Sequence, residues 1–386
     1  MKSGHKIKIL FRHRSMEMGG VEKVLLSIIN NLDREKFDIT VCLNLNQGEL
    51  RDEFPTDIRK VILSKGREDM SSNPIVQKLQ LFKRRIKLYV IQLMPKIVDE
   101  KILKEKYDIE VAMTYNDFEM VLNSTNKDSK KVGWFHSEIN IKGFEVLVPK
   151  IISQFPQFDR MVYCSQKIKD LMHIHHPNIK YPFENVIFNA IPTEEIRKKS
   201  IEKVEYSSNV PTFISVGRLH SRKGYHQLLE VHKRLIQDGF AHKIIILGDG
   251  EEKENLKLQI ENSKVQESFL LYGNKMNPYK YINRADFFIL PSMSEAWPLV
   301  VAESLLLRKP TIGTETGDIP KMIKHEETGL VVKYDSDEIY NAMKRFLTDN
   351  KLIERINFNL LSIDEQFDNK KIFQSIEDMF LETLEK

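Results

Sequence analysis

Residues 211–250 read PTFISVGRLHSRKGYHQLLEVHKRLIQDGFAHKIIILGDG, and this stretch decides the fold. "PTFISVGRL" is a short run of apolar, β-branched and aromatic side chains, the signature of a strand. "GYHQLLEVHKRLIQDG" carries apolar residues at helical spacing and stops at Gly239. "HKIIILGDG" is a second strand that runs into a glycine turn. Strand, loop, helix, strand is the opening of a parallel α/β unit. Downstream the grammar continues with "EEKENLKLQIEN" as a helix, then "SFLLYG", "ADFFILPS", "KPTIGTE" and "GLVVKY" as strands. The N-terminal half has the same opening. The apolar run Ile7 to Phe11 leads into a glycine-containing loop. A helical pattern follows with Val24, Leu25, Ile28, Ile29 and Leu32 on one side, and "FDITVCLNL" is the next strand.

At 386 residues, the chain is longer than one hydrophobic core usually supports. Two α/β domains are therefore expected, over residues 1–192 and 205–367. The polar stretch 189–211, flanked by Pro192 and Pro211, reads as a linker or an ordered surface excursion. A final helix within 368–386, capped by Asp368 and carrying Ile372, Phe373, Ile376, Phe380 and Leu384 on one face, should pack back on the first domain. Composition is that of a soluble globular protein, with 41% hydrophobic and 30% charged residues. The net charge of +4, from 59 basic and 55 acidic residues, argues against a dedicated nucleic-acid partner. Two cysteines, Cys42 and Cys164, lack metal-ligand spacing, so a reduced cytoplasmic setting and no structural metal are expected. No apolar run suits a secretory signal or a bilayer span.

Three places carry candidate chemistry. Gly19 and Gly20 lie between a strand and a helix, where missing side chains and free N–H groups suit an anion or simply a tight turn. The segment matches neither the dinucleotide nor the P-loop fingerprint. Arg218 and Lys223 follow the end of a strand, where ligands bind in open α/β sheets, and two cations there can neutralise a diphosphate. The third is "SEAWPLVVAES", 294–304, with Glu295 in a loop and Glu303 in the buried helix that Pro298 starts. The N–H groups of Leu299, Val300 and Val301 should point out of the helix end between them. A carboxylate beside a diphosphate is repelled unless it accepts hydrogen bonds from neutral hydroxyls. A sugar nucleotide has such hydroxyls on both sides of its diphosphate.

These residues carry a resemblance. "GGVEKVLLSIINNL", "WFHSE", "SVGRLHSRKG", "ILGDGEEKENL", "PSMSEAWPLVVAESLLLRKPTIGTETGDIPKMI" and "TGLVV" are similar, in this order, to the family-four retaining glycosyltransferases, glycosyl transferases group 1. The resemblance implies a GT-B fold, two Rossmann-like doubly wound domains facing across a cleft. It implies an acceptor-binding first domain and a nucleotide-sugar-binding second one. Arg218 and Lys223 would hold the diphosphate, Glu303 the ribose hydroxyls and Glu295 the donor sugar. The backbone of Ala296, Trp297, Pro298 and Leu299 would line the sugar and phosphates. Gly19 and Gly20 would cover the phosphates, and His136 would orient the sugar or stabilise charge at the anomeric centre. The implied reaction is metal-independent transfer of a hexose or N-acetylhexosamine, with no cofactor, from a UDP-sugar to a glycan, lipid-linked or cell-surface acceptor. A GT-B epimerase or phosphorylase and a non-catalytic partner subunit are the alternatives. Departures from the family pattern are Ala296-Trp297-Pro298, Thr316 in "TGDIP", and "NAIP" at 189–192.

Two further features stand apart. In "NPIVQKLQLFKRRIKLYVIQLMPK", Ile75, Leu79, Phe82, Ile86, Tyr89 and Leu93 recur at spacings of four and three among basic residues. Residues 75–93 are therefore read either as an amphipathic helix for an anionic membrane surface or as a domain helix with its stripe in the core. With the former, the expected location is cytoplasmic and peripheral at the inner face of the membrane. "HIHHPN", 173–178, reads as a surface turn.

Overall fold

The computed structural model describes residues 5–140, 144–204, 206–367 and 369–385. The chain divides into two compact units, Met1–Ala190 with Lys370–Lys386, and Ile191–Asn369.

The first unit is built on seven strands: β1 (Ile7–His13), β2 (Phe37–Leu43), β3 (Arg59–Ile62), β4 (Ile109–Ala112), β5 (Lys130–Phe135), β6 (Arg160–Tyr163) and β7 (Phe183–Val186). They pair in parallel in the order β3-β2-β1-β4-β5-β6-β7. A parallel sheet has both faces covered, so its strands are near-continuous apolar runs. Ile9, Leu10 and Phe11 of β1 and Val111 and Ala112 of β4 are accordingly fully buried. The second unit has β8 (Thr212–Val216), β9 (Lys243–Leu247), β10 (Phe269–Gly273), β11 (Phe287–Leu290), β12 (Thr311–Thr314) and β13 (Gly329–Val332). Their order is β10-β9-β8-β11-β12-β13, again all parallel. Each sheet thus winds outward in both directions from its first strand, and the order reverses between β1 and β4 and between β8 and β11. That is the Rossmann arrangement, and it opens a crevice at the carboxyl ends of those strand pairs.

The C-terminal helix Asn369–Glu385 belongs, from Lys370 onward, to the first unit. Phe380 packs edge-on to Phe11 at 6.2 Å and Phe37 at 6.1 Å. The buried face is Ile376, Glu377, Met379, Phe380 and Thr383. Ile372, Phe373 and Leu384 are only half-buried, so this face is turned from the expected stripe. Glu377 is the reason, because its carboxylate accepts from the Asp33 backbone at 3.0 Å and Lys36 Nζ at 2.7 Å. The expected cap, Asp368, lies outside the described residues.

Two local readings change. Residues Thr193–Ser200 are a helix of the second unit, not a linker. Ile196 is fully buried, and Asn277 and Asn283 donate to the carbonyls of Lys199 and Ser200, which a helix end leaves without internal partners. "HIHHPN" straddles the end of helix Gln166–His175, and His173 Nε2 lies 3.0 Å from Glu184 across the strand edge.

Candidate functional site

In the second unit the loops after β8 and β11 emerge side by side. After β8 the chain runs through Gly217 and Arg218 into a 3₁₀ turn at Ser221–Lys223, then Gly224 and helix Tyr225–Gln237. Gly224 has φ +70, and a Cβ there would sit 1.9 Å from the Pro291 carbonyl of the neighbouring loop. Met293 N donates to Arg222 O at 2.7 Å, which joins the two loops directly.

This places Lys223 against Glu295. Nζ lies 2.6 Å from Oε1, and Ser292 Oγ donates to the same oxygen at 2.6 Å. The side chains are 22% and 12% exposed, so the pair is largely withdrawn from water. A charge-assisted bond of this length holds the carboxylate in place and offsets its charge. Glu295 can then sit near a phosphate without repelling it, while its second oxygen can still accept from a hydroxyl. The backbone N–H of Glu295 donates to Thr316 Oγ1 at 3.3 Å. The threonine that departs from the family pattern thus supplies an acceptor a glycine lacks.

Arg218 is placed differently. Its side chain is 73% exposed and pairs with Glu251 at 3.3 Å, beside His220. Glu303 is withdrawn from solvent. It sits in helix Leu299–Leu306 as expected, but is 1% exposed, with Tyr279 Oη donating to Oε1 at 3.3 Å. Ala296, Trp297, Pro298 and Leu299 lead into that helix as expected, Ala296 and Trp297 half-buried, Pro298 and Leu299 buried. The N–H of Val301 is already taken by Pro298 O at 3.0 Å.

In the first unit, Gly19 and Gly20 connect β1 to helix Gly20–Asn31. The space over Gly19 is held by a carboxylate, since a Cβ there would meet Glu22 Oε2 at 2.3 Å. Glu22 is drawn back by His13, at the carboxyl end of β1. His13 Nε2 lies 3.2 Å from Glu22 Oε1 and Nδ1 lies 3.2 Å from Asp117 Oδ2. Thr114 fixes Asp117 through its N–H at 3.1 Å and its hydroxyl at 2.7 Å. Burial alone would lower the His13 pKa, but the hydrogen bonds and charges of Asp117 and Glu22 outweigh it and raise it to about 10. His13 is therefore an imidazolium. His136, one residue past β5, is the opposite. Its Nε2 is sealed from solvent and has no hydrogen-bond partner among the described residues. Burial first, and then the charge of His13, depress its pKa to about 3. A neutral His136 acts through hydrogen bonding, not as a cation.

Residues 196–359 match the family described as glycosyl transferases group 1. That match lies within the second unit, and the chain has the GT-B fold. A Campylobacter jejuni relative is 30% identical over 189 residues, covering 48% of this chain and 50% of its own length. That protein is the N-acetylgalactosamine-N,N'-diacetylbacillosaminyl-diphospho-undecaprenol 4-alpha-N-acetylgalactosaminyltransferase. The match thus spans about half of that relative. The Escherichia coli UDP-Gal:alpha-D-GlcNAc-diphosphoundecaprenol alpha-1,3-galactosyltransferase is 24% identical over 419 residues, with 99% of each chain covered. The Anabaena protein HepE, solved with UDP-glucose, superposes with TM-score 0.74 at 18% identity, covering 97% of this chain and 100% of its own.

Within the second unit, Ser292 and Tyr279 are contact residues that the sequence did not single out, and Thr316 stood out there as a departure from the family pattern but not as a contact of Glu295. Ser292 and Thr316 lie inside recognised motifs as small polar residues. Tyr279, in "NPYKYIN", has no signal at all. Gly317 is a position of real steric need, with φ +55 and a would-be Cβ 2.4 Å from the carbonyl oxygens of Glu295 and Ala296. Gly317→Ala is expected to destabilise the domain by about 1–3 kcal/mol and to push the Glu295 loop off Lys223. Thermal melts of the variant check this.

Proposed function

We propose that the chain is a retaining glycosyltransferase that moves a hexose or N-acetylhexosamine from a nucleotide-diphosphate sugar, with UDP the expected nucleotide, to a glycan, lipid-linked or cell-surface acceptor. The observation that carries the reading is the Lys223–Glu295–Ser292 arrangement at the β8/β11 switch point, a carboxylate whose charge is offset and whose function is to accept hydroxyls. Lys223 and Arg218 take the diphosphate, Arg218 exchanging Glu251 for phosphate oxygens. Glu295 holds the donor sugar, and Glu303 reaches the ribose once the Tyr279 hydroxyl gives way. Ala296, Trp297, Pro298 and Leu299 line the sugar. From the first unit, Gly19, Gly20 and the neutral His136 contribute as the family pattern implies. The UDP-Gal named for the Escherichia coli protein and the UDP-glucose bound to the Anabaena protein support the donor class, and the undecaprenol-linked sugars named for the Campylobacter and Escherichia relatives support the acceptor class. Such an acceptor places the protein at the inner face of a membrane.

In the proposed step the acceptor hydroxyl attacks the anomeric carbon on the face the diphosphate leaves, through an oxocarbenium-like state. The C–O bond to the phosphate breaks, and the departing phosphate oxygen takes the acceptor's proton. Lys223, Arg218 and the helix N-terminus after Pro298 stabilise the leaving charge, with no metal required. Full activity in excess EDTA is expected, and activity that returns only with added divalent metal would overturn metal independence. The reading itself is tested by a thermal-shift screen of UDP, GDP, ADP and their sugars, because a ligand of the native state raises apparent stability. UDP release that needs an acceptor, with the anomeric configuration retained by NMR, is the expected result. Release independent of acceptor would favour the epimerase or phosphorylase reading.

A further inference from the structure

Helix Pro74–Leu93 of the first unit turns its apolar stripe outward. Ile75, Leu79, Phe82, Ile86, Tyr89 and Leu93 fall within about 40° of one line along the helix at its regular 3.6-residue period. Each is between 48% and 80% exposed. The opposite side is the one that folding covers. There Leu81, Arg84 and Leu88 are half-buried and Ile91 joins the core of Leu10, Cys42, Val61 and Leu63. Arg84 also donates to Gln47 Oε1 and Lys65 O at 3.4 Å. The segment just after the helix is pinned, since Asp99 accepts from Arg12 at 2.7 Å and from Thr125 N at 2.7 Å. The helix is therefore firmly seated on one side while six large apolar side chains remain in water on the other. Lone exposed apolar residues are ordinary, but a continuous line of six marks an interaction surface.

The charges say what covers it. Lys78 and Arg85 flank the line on one side and Lys83 on the other, each roughly 60–80° from its centre at 3.6 residues per turn. None of the 20 residues is acidic. We propose that this helix docks the first unit on an anionic lipid bilayer. It lies in the plane of the interface, with Phe82 and Ile86 deepest and the cationic rows at headgroup level. A second copy of the chain fits less well, because a two-fold contact through the same patch would bring like-charged rows together. The proposal stands on this geometry alone and does not depend on sugar transfer.

Co-sedimentation without any substrate tests it. The chain should pellet with vesicles of phosphatidylglycerol and phosphatidylcholine in equal parts, and much less with phosphatidylcholine alone or at high salt. Phe82→Glu with Ile86→Glu should abolish binding, and Lys83→Glu with Arg85→Glu should weaken it by about tenfold or more. All four positions are exposed, so the variants fold. Leu258→Glu, on the exposed face of a helix in the second unit, should bind as the native chain does. Failure of the native chain to bind anionic vesicles would overturn the proposal. So would a lipid-free dimer that Phe82→Glu converts to a monomer, which would make the stripe a contact between copies.

Discussion

Lys223→Ala should reduce turnover with donor and acceptor by about 100- to 1000-fold and destabilise the second unit by about 3 kcal/mol. Two effects combine. The variant loses a cation proposed to meet the leaving diphosphate. It also leaves the mostly buried Glu295 carboxylate with Ser292 as its hydrogen-bond donor and no counter-charge at Oε1. A double substitution separates them. In Lys223→Ala with Glu295→Gln the stranded charge is gone, so the melting temperature should recover most of its loss while turnover stays low. Arg218→Ala is the complementary case. Its side chain is exposed and its partner Glu251 is half in water, so stability should hardly move. Turnover should still fall, mainly through weaker donor binding. Turnover that survived Lys223→Ala would remove the diphosphate role, whatever happened to stability.

How far these residues could be read in the sequence depends on what kind of information each needs. The strands around 211–250 were legible because a parallel sheet demands apolar runs bounded by glycine turns, a purely local pattern. The meeting of Lys223 with Glu295 was half legible. Each follows a strand end, and the strand order that makes β8 and β11 neighbours places the two loops together, but the sequence does not state that order. Glu303 was legible as unusual in an apolar helix, whereas its burial against Tyr279 depends on a helix 24 positions away in sequence. His13 gave no signal, since its charge comes from Asp117, brought in from the far side of β4. The 75–93 helix shows the limit most plainly. Its period revealed a stripe, but a period cannot tell inward from outward when the opposite side, with Leu81, Leu88 and Ile91, is apolar as well. Only the neighbours decide that.

Acidification should unfold the second unit first through His232, which is fully buried on helix Tyr225–Gln237. Its Nδ1 lies 2.8 Å from His242 Nε2, its Nε2 2.9 Å from Ser268 Oγ, and His242 Nδ1 2.8 Å from the Phe240 carbonyl. A carbonyl only accepts, so His242 Nδ1 carries a proton. His242 Nε2 then accepts from His232 Nδ1, and His232 Nε2 accepts from Ser268. Both rings are neutral with fixed tautomers. A further proton on His242 sets donor against donor, and one on His232, whose Nε2 could donate to Ser268 only if that hydroxyl turns to Val265 O, puts an unpaired charge in the core. Burial first, and then the neighbouring His242, depress the His232 pKa to about 3 from 6.5. The unfolded chain therefore binds the proton more readily than the folded one. The stabilising contribution is complete above 6.5 and drains away as pH falls toward 3, at up to about 1.4 kcal/mol per pH unit. In the first unit His136 acts in the same direction, but His13 acts oppositely. With its pKa raised to about 10, His13 contributes fully below 6.5 and loses its contribution as pH rises through 10. The second unit should therefore be the cleaner reporter of acid sensitivity. In a Trp134→Phe background Trp297 reports that unit alone, and urea unfolding at about pH 7 and about pH 5 should differ by roughly 2 kcal/mol for His232. His232→Gln keeps a hydrogen-bonding group without the titration. It should lower stability at neutral pH by about 1 kcal/mol and flatten the pH dependence. An unchanged slope in that variant would place the acid sensitivity elsewhere.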